Sequence, residues 1–364
     1  MLSGRILTPT GWITGHLDFD QRIQQIREDP AADSSLTILP GFIDLHVHGA
    51  EGVDIMQGGT AGASVARSHA RHGTTALLGT TLTAKEAAIR RALDGLAGVI
   101  AERPAGGARM LGVHLEGPFL NLKRLGAQPP DVVTASLELV QSFHAMAPIR
   151  VLTLAPEVAG HLALIPQLRD MGIRVQIGHS AGSYEDGVAA LQAGAAGFTH
   201  LFNGMTGAHH QQPGMVGAAL AHAEYAEVIP DLLHVQPGAL RAALRAIPRL
   251  YGVTDATSAT GMPDGEYALG SQRVFKCLGC VRLATGSLAG SVLTMDQALR
   301  NFISIGLDLA DASNRLSRFP ADYLGETQRG RLAPGAWADM VVLNSDLQPV
   351  AVFVEGEAID LSTH

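Results

Sequence analysis

Residues 41–49 read "GFIDLHVHG", an apolar run that ends with His46 and His48 two positions apart. Side chains at positions i and i+2 of a β-strand point to the same face. The stretch therefore predicts a buried strand that presents two imidazole groups together near its carboxyl end. Two imidazoles on one face of a buried strand are more typical of a binding site than of core packing.

Seven further apolar runs follow and are separated by segments with a helical pattern. The runs lie at 74–80, 110–117, 150–157, 174–180, 197–203, 226–235 and 251–257. Runs rich in Val, Ile and Leu favour parallel strands that are covered on both faces. Eight strand–helix repeats predict an α/β fold, a (β/α)8 TIM-like barrel. Two further helices are expected after the eighth strand, in "TMDQALRNFISIG" and "DASNRLSRFPADYLG".

The two ends of the chain have a different pattern, with short alternating strands and turn residues. Both ends are rich in Val, Ile and Leu, which disfavours free tails. We therefore predict a small β-sandwich domain built from residues 1–40 plus 330–364. The barrel would then occupy residues 41–329.

The composition excludes several classes of protein. Of the 364 residues, 46% are hydrophobic and 16% are charged, which supports a large core and excludes extensive disorder. The formal net charge of -8, without a Lys/Arg run, argues against a nucleic-acid partner. No apolar stretch is long enough to span a bilayer, and the start lacks a secretory pattern. We therefore expect neither a membrane partner nor export.

The two cysteines, Cys277 and Cys280, form the motif "CLGC". Two cysteines do not make a disulfide framework, so a reducing cytoplasm is the expected compartment. A structural zinc site would need a second pair of ligands. A redox role for the pair stays open.

Ionisable residues concentrate at the predicted carboxyl ends of the barrel strands, where barrel enzymes place their chemistry. These residues are His46, His48, His114, Glu116, His179, His200, His234 and Asp255. A single strand-end histidine is more often structural, and Asp255 alone could cap a turn. Together, imidazoles and a carboxylate are the ligand set of zinc or another borderline divalent ion. The set therefore predicts a metal centre.

Several motifs then resemble those of one family. "PGFIDLHVHG", "HLEGPF", "IGHS", "THLFNGM", "VTDAT" and "GSLAGSVLTM" are similar to motifs of the amidohydrolase superfamily, and within it of the N-acetylglucosamine-6-phosphate deacetylases. Cyclic-amide hydrolases of the same superfamily share the H-x-H but use a lysine on strand four. The fourth run, "RVLTLAPE", has no lysine, so Glu116 on strand three is the expected substitute. The resemblance implies metal-dependent hydrolysis of the N-acetyl amide of N-acetylglucosamine 6-phosphate.

The resemblance also implies roles for individual residues. Glu116, His179 and His200 match the main metal ligands, and Asp255 matches the catalytic acid and base. Because both His46 and His48 are present, a second ion bridged by Glu116 is expected, giving one or two divalent ions per chain, with zinc as first choice. The residues that match the sugar site are Ala127, Gln128, Asn203, Gly204, Gln211, His234, Leu288, Ala289 and Gly290.

Two of these positions depart from the family pattern. Gln128 in "GAQPP" replaces a histidine that contacts the substrate near its acyl group. Gln211 in "QQPG" replaces an arginine that reaches the phosphate of a substrate held by the neighbouring subunit.

The second departure leaves open whether the substrate carries a 6-phosphate. The alternatives are an unphosphorylated or otherwise modified N-acyl amino sugar, or another amidohydrolase reaction such as cyclic-amide hydrolysis or deamination. The remaining alternative is a non-catalytic scaffold. The expected partners are a small amino sugar and a second copy of the chain, as a homodimer.

Overall fold

The computed structural model describes residues 1–362. In chain order, its strands are β1 (Leu2–Thr8), β2 (Gly11–Phe19), β3 (Ile23–Glu28), β4 (Thr37–Pro40), β5 (Phe42–Val47), β6 (Gly49–Ala50), β7 (Val53–Asp54), β8 (Thr74–Thr80), β9 (Arg109–Glu116), β10 (Ile149–Leu154), β11 (Arg174–Ile177), β12 (Gly197–Phe198), β13 (Tyr225–Val228), β14 (Arg249–Gly252), β15 (Gly265–Leu269), β16 (Gln272–Cys277), β17 (Cys280–Leu283), β18 (Met340–Leu343), β19 (Pro349–Val354) and β20 (Glu357–Ala358). The α-helices are α1 (Ala61–Ala70), α2 (Glu86–Ala101), α3 (Leu137–His144), α4 (His161–Asp170), α5 (Tyr184–Ala193), α6 (Gly214–His222), α7 (Pro237–Ala246), α8 (Met295–Ser304), α9 (Leu309–Leu316) and α10 (Arg318–Leu324). Within the described residues, no helix combines the length and hydropathy needed to cross a membrane.

Eight parallel strands form the barrel. Six of them lie in the order β12-β11-β10-β9-β8-β5, and β13 pairs in parallel with β14. The backbone N–H of Leu201 donates to the carbonyl of Glu227 at 2.8 Å and joins the six-stranded sheet to β13. On the other side, the N–H of Asp255 donates to the carbonyl of His46 at 2.9 Å and joins the end of β14 to β5. The predicted TIM-like barrel is confirmed.

The two chain ends meet in one seven-stranded sheet with the order β20-β19-β18-β4-β1-β2-β3. Its centre is the antiparallel pair of β18, from the C-terminal end, with β4, from the N-terminal end. Successive residues alternate between two apolar clusters: Ile38 packs in the sheet's own core, whereas Leu39 packs in the barrel core. Because the side chains alternate with period two, the sheet has one face on the barrel and one on a core of its own. A terminal β domain built from both ends of the chain is therefore present.

The last five barrel strands, β10 to β14, end earlier than the sequence predicts. In the run at 197–203, the strand ends at Phe198. His200 and Phe202 have positive φ angles of 29° and 81°, which are incompatible with β structure. In the run at 226–235, the strand ends at Val228, because Pro230 cannot donate a ladder hydrogen bond and Leu232 has a φ of 64°. The sequence analysis placed His234 at the end of a strand, but the structure places it in the loop after β13.

An antiparallel unit of β15, β16 and β17 is inserted after the eighth barrel strand, and the sequence analysis did not predict it. Cys277 and Cys280 are cross-strand partners on either side of a two-residue turn. Leu278 and Gly279 in that turn have positive φ angles of 50° and 76°, the geometry of a type I′ hairpin. The motif "CLGC" is therefore explained as a hairpin turn between two free cysteines.

Candidate active site

Glu116, the last residue of β9, lies at the centre of the predicted metal site. Its Oε1 atom is 3.0 Å from the Nε2 atoms of both His179 and His200. Its Oε2 atom is 3.4 Å from Nε2 of His46 and 3.2 Å from Nε2 of His48. All five residues are buried. The structure thus brings together the five predicted ligands, with one carboxylate between two pairs of imidazoles.

Three of the four imidazoles are held in the tautomer that a metal ligand needs. Their Nδ1 atoms face acceptor oxygens: the Thr80 carbonyl for His48 (3.2 Å), the Arg124 carbonyl for His179 (2.8 Å) and Oε2 of Glu227 for His46 (3.1 Å). Because such oxygens only accept, each Nδ1 carries the proton and each Nε2 offers a lone pair. Within each pair, the Nε2 atoms are 3.1 Å apart. Converging lone pairs beside a carboxylate fit a divalent cation.

The electrostatics of the site favour positive charge between the carboxylates. Burial opposes the charging of His48, but hydrogen bonds to Asp255 and Glu116 raise its pKa to about 9. Burial likewise opposes the charge of Glu116, but the nearby His46 and the hydrogen bonds from His179 and His200 hold its pKa well below the usual range. A divalent cation would supply the positive charge that this arrangement stabilises.

Asp255 lies beside the His46–His48 pair, just beyond β14. Its Oδ1 atom is 3.2 Å from Nε2 of His48 and 3.5 Å from Nε2 of His46. Burial opposes its ionisation, but the two imidazoles outweigh burial and lower the pKa of Asp255. The residue is therefore an ionised carboxylate that can accept a proton at the floor of the site.

A cavity of about 220 Å³ opens above this floor, a size that suits a small ligand. Its lining includes most of the predicted residues: His48, Glu116, Ala127, Gln128, His179, His200, Asn203, Gly204, His234, Asp255, Leu288 and Gly290. Leu269 of the inserted β15 completes the wall. Two predicted substrate contacts lie elsewhere. Ala289 is fully buried, and Gln211 lies in an exposed loop and lines a second cavity, of about 490 Å³, together with Arg124 and His209.

Gln128 was predicted to contact the substrate, but both ends of its side chain are held by the protein. The amide nitrogen donates to Oε2 of Glu116 at 2.6 Å, and the amide oxygen accepts the backbone N–H of Thr83 at 2.7 Å. Gln128 therefore contacts the central carboxylate directly. A sequence pattern has no signal for this contact, because it depends on how a loop folds over the barrel.

His234 reaches the cavity from the loop after β13. Its Nδ1 atom donates to Oδ2 of Asp231 at 2.6 Å. Burial opposes the charging of His234, but Asp231 outweighs burial and raises its pKa. Asp231 therefore fixes the orientation of this imidazole at the cavity wall.

Two buried residues behind the metal site differ from the sequence analysis. His114 was predicted at the strand end with Glu116, but its ring nitrogens bond to the Leu45 carbonyl at 3.0 Å and to the hydroxyl of Thr153 at 2.7 Å. Burial lowers the pKa of His114 to about 4, so it is a neutral interior residue. Glu227 was not predicted at all; its signal is a carboxylate within the apolar run "YAEVI".

A closed parallel barrel with a histidine–carboxylate centre at its carboxyl end defines a class of hydrolytic, metal-dependent barrel proteins. Residues 37–359 match the model of the amidohydrolase family. The chain belongs to the amidohydrolase family.

Characterised relatives are similar over nearly the whole chain. An N-acetylgalactosamine-6-phosphate deacetylase of Escherichia coli O157:H7 is 39% identical and covers 97% of both chains. An N-acetylglucosamine-6-phosphate deacetylase of Vibrio furnissii is 40% identical, over 88% of this chain and 82% of the relative.

Solved structures are also similar over nearly the whole chain. N-acetylglucosamine-6-phosphate deacetylase of Thermotoga maritima has a TM-score of 0.93 and 29% identity, over 100% of this chain and 99% of the other. A mutant of the Mycobacterium smegmatis enzyme, in complex with N-acetyl-D-glucosamine-6-phosphate, has a TM-score of 0.91 and 33% identity, over 98% and 97%. The resemblance noted in the sequence is confirmed.

Proposed function

We propose that this protein is a metal-dependent deacetylase that hydrolyses the N-acetyl amide of N-acetylglucosamine 6-phosphate to glucosamine 6-phosphate and acetate. The observation that carries the proposal is the position of Glu116 between two imidazole pairs, with Asp255 3.2 Å from His48. Relatives with this activity cover nearly the whole chain. A non-catalytic scaffold is disfavoured because every predicted ligand is in place.

The residues divide the chemistry between them. Glu116, His179 and His200 would hold one ion, and His46 and His48, with the other oxygen of Glu116, a second. When bound, a divalent cation lowers the pKa of water towards about 7 and polarises a carbonyl oxygen. Asp255 accepts the proton of the attacking water and then delivers it to the amide nitrogen, so that the amine leaves and acetate remains. His234, oriented by Asp231, would position the sugar.

The sugar itself has a second candidate. The relative from E. coli O157:H7 is named for N-acetylgalactosamine 6-phosphate and is similar over 97% of both chains. The two sugars differ in the configuration of one hydroxyl group. We keep the gluco sugar as first choice, with the galacto sugar and an unphosphorylated N-acyl amino sugar as the competing substrates.

Zinc, the homodimer and the cytoplasm complete the proposal. Imidazole and carboxylate ligands suit zinc. The homodimer is proposed from the family resemblance alone, because Gln211 lacks the charge with which the family's arginine reaches across the subunit boundary. Both cysteines are free, which fits a reducing compartment.

One experiment tests the proposal. Acetate and ammonia are measured with a panel of gluco and galacto N-acetyl amino sugars, with and without a 6-phosphate, while the metal content of the purified protein is determined. We expect acetate from a phosphorylated sugar and at least one divalent ion per chain. Ammonia release would indicate a deaminase, and activity without metal would contradict the mechanism.

A further inference from the structure

Glu227 on β13 is a fully buried carboxylate directly behind the metal site. Its Oε2 atom accepts Nδ1–H of His46 at 3.1 Å and lies 3.3 Å from the backbone N–H of His200. It therefore contacts one predicted ligand from each half of the centre. His200 has a φ of 29°, so its backbone is in a conformation that needs such external support.

The other oxygen of Glu227 is equally constrained. Its Oε1 atom accepts the amide N–H of Gln176 at 3.0 Å and the hydroxyl of Tyr251 at 3.4 Å. The Gln176 amide cannot easily turn over, because its oxygen accepts the hydroxyl of Thr199 at 2.7 Å. Four donors therefore surround a group that only accepts when ionised.

Glu227 also lies near His114, and these two residues with His46 could form a third ion site by distance alone. However, both ring nitrogens of His114 already have hydrogen-bond partners, and the nearer is 3.9 Å from the carboxylate. Glu227 is thus part of a hydrogen-bond network and not a direct metal ligand.

We propose that Glu227 is the positioning residue that makes His46 a metal ligand and thereby adapts the centre to two ions. By holding the proton on Nδ1, Glu227 directs the lone pair of Nε2 towards Glu116. Glu227 is also the third carboxylate that contacts the imidazoles of the centre, besides Glu116 and Asp255. Nε2 of His46 lies 3.4 Å from Oε2 of Glu116, so this lone pair is what the second ion needs beyond the ion at Glu116, His179 and His200.

The inference rests on the proposed metal-dependent function, and metal binding tests the two separately. Zinc content per chain and zinc affinity, by chelator competition, are measured for the wild type, Glu227→Gln and Tyr251→Phe. The spectrum of the cobalt-substituted proteins is recorded as well. We expect two ions in the wild type. In Glu227→Gln, the second ion should bind about 10- to 100-fold more weakly, with loss of one cobalt signal, while the ion at Glu116, His179 and His200 remains.

Tyr251→Phe is the matched control, because it removes a long hydrogen bond to the same carboxylate but leaves its charge; it should keep both ions. Wild-type affinity for two ions in Glu227→Gln, or a single ion in the wild type, would overturn the inference and leave the proposed function intact. No metal in the wild type would instead overturn the proposed function. If Glu227→Gln does not fold, Glu227→Asp is measured instead. The shorter side chain keeps the charge but moves the acceptor oxygen away from Nδ1 of His46. Unchanged affinity for the second ion would then overturn the inference.

Discussion

His179, His200 and Asp255 share a backbone feature that no pattern of residue types reveals. Their φ angles are 47°, 29° and 50°, in or near the left-handed region that non-glycine residues rarely adopt. Such a conformation costs roughly 1–3 kcal/mol per residue and persists only where the surrounding structure enforces it. Here each of these residues follows the end of a barrel strand and points its side chain into the centre. The local strain is therefore associated with the proposed chemistry.

Replacing Asp255 by Asn tests the proton transfer. Asn tolerates the left-handed backbone, so the fold and substrate binding should be retained. Because one carboxylate serves both transfers, the kcat for acetate release should fall by about 10²- to 10⁴-fold or more. The measurement is kcat together with the substrate Kd by calorimetry.

The matched control for Asp255 is Asp264→Asn, the same change at an exposed carboxylate in the loop that follows. It should leave kcat unchanged. Activity of Asp255→Asn within tenfold of the wild type would remove Asp255 from the proton-transfer role.

At the scale of the elements, the sequence predicts the ends of the first three barrel strands to within one residue because their apolar runs coincide with regular β structure. It fails at the carboxyl ends of the last five, where positive φ angles, as at His179 and His200, and Pro230 contribute to ending the strands. The inserted hairpin was not predictable from its turn, because "LG" between "QRVFKC" and "CVRL" is not one of the dipeptides that favour a type I′ turn. The metal ligands are predictable because they fall near strand ends. Glu227 is not, because its contact with His46 spans 181 positions.

The loop that carries Gln211 offers a test of the substrate's phosphate. His209 and Gln212 exchange backbone hydrogen bonds of 3.2 and 3.0 Å, which leaves His210 and Gln211 exposed at a tight turn. In Gln211→Arg, a charge-assisted bond worth roughly 1.5–3 kcal/mol would replace a neutral one of about half that strength. The ratio of kcat/KM for phosphorylated over unphosphorylated sugar should therefore rise about three- to tenfold.

Gln212→Arg is the control for this loop, since it adds the same charge one position further along. Its kcat/KM ratio should stay near that of the wild type. An unchanged ratio in Gln211→Arg would mean that another cation binds the phosphate, and Arg124 and His209 line the same cavity.

At the scale of the whole molecule, an ion-pair network joins the terminal sheet to the barrel. Glu355, at the end of β19, accepts two hydrogen bonds of 2.8 Å from the guanidinium of Arg109 on β9. It also pairs with Arg103 and Arg329, and Arg329 in turn pairs with Asp339. Paired guanidinium and carboxylate groups of this kind give both orientation and energy. The C-terminal strand is thus fixed to the barrel by charge as well as by apolar packing.

The network predicts a pH-dependent stability that Glu355→Gln isolates. Burial opposes the charge of Glu355, but Arg109 and Arg329 outweigh burial and lower its pKa from 4.5 to about 2. Because the folded pKa is lowered, the stabilisation is complete above the unfolded pKa and is lost as the pH falls towards 2. By linkage, it amounts to about 3 kcal/mol at neutral pH. The free energies of unfolding of the wild type and Glu355→Gln, measured by urea denaturation, should therefore differ by about 3 kcal/mol at pH 7. At pH 3 the difference should be clearly smaller.

The difference between the free energies of unfolding of the two proteins is taken at each pH. The acid sensitivity of the histidine centre cancels in this difference, because both proteins have the same centre. Glu357→Gln is the matched control. Glu357 also pairs with Arg103, but 39% of its side chain is exposed, so its loss should cost less than about 1 kcal/mol. A difference between the wild type and Glu355→Gln that stays constant from pH 7 to pH 3 would show that Glu355 stabilises the junction by its shape and not by its charge.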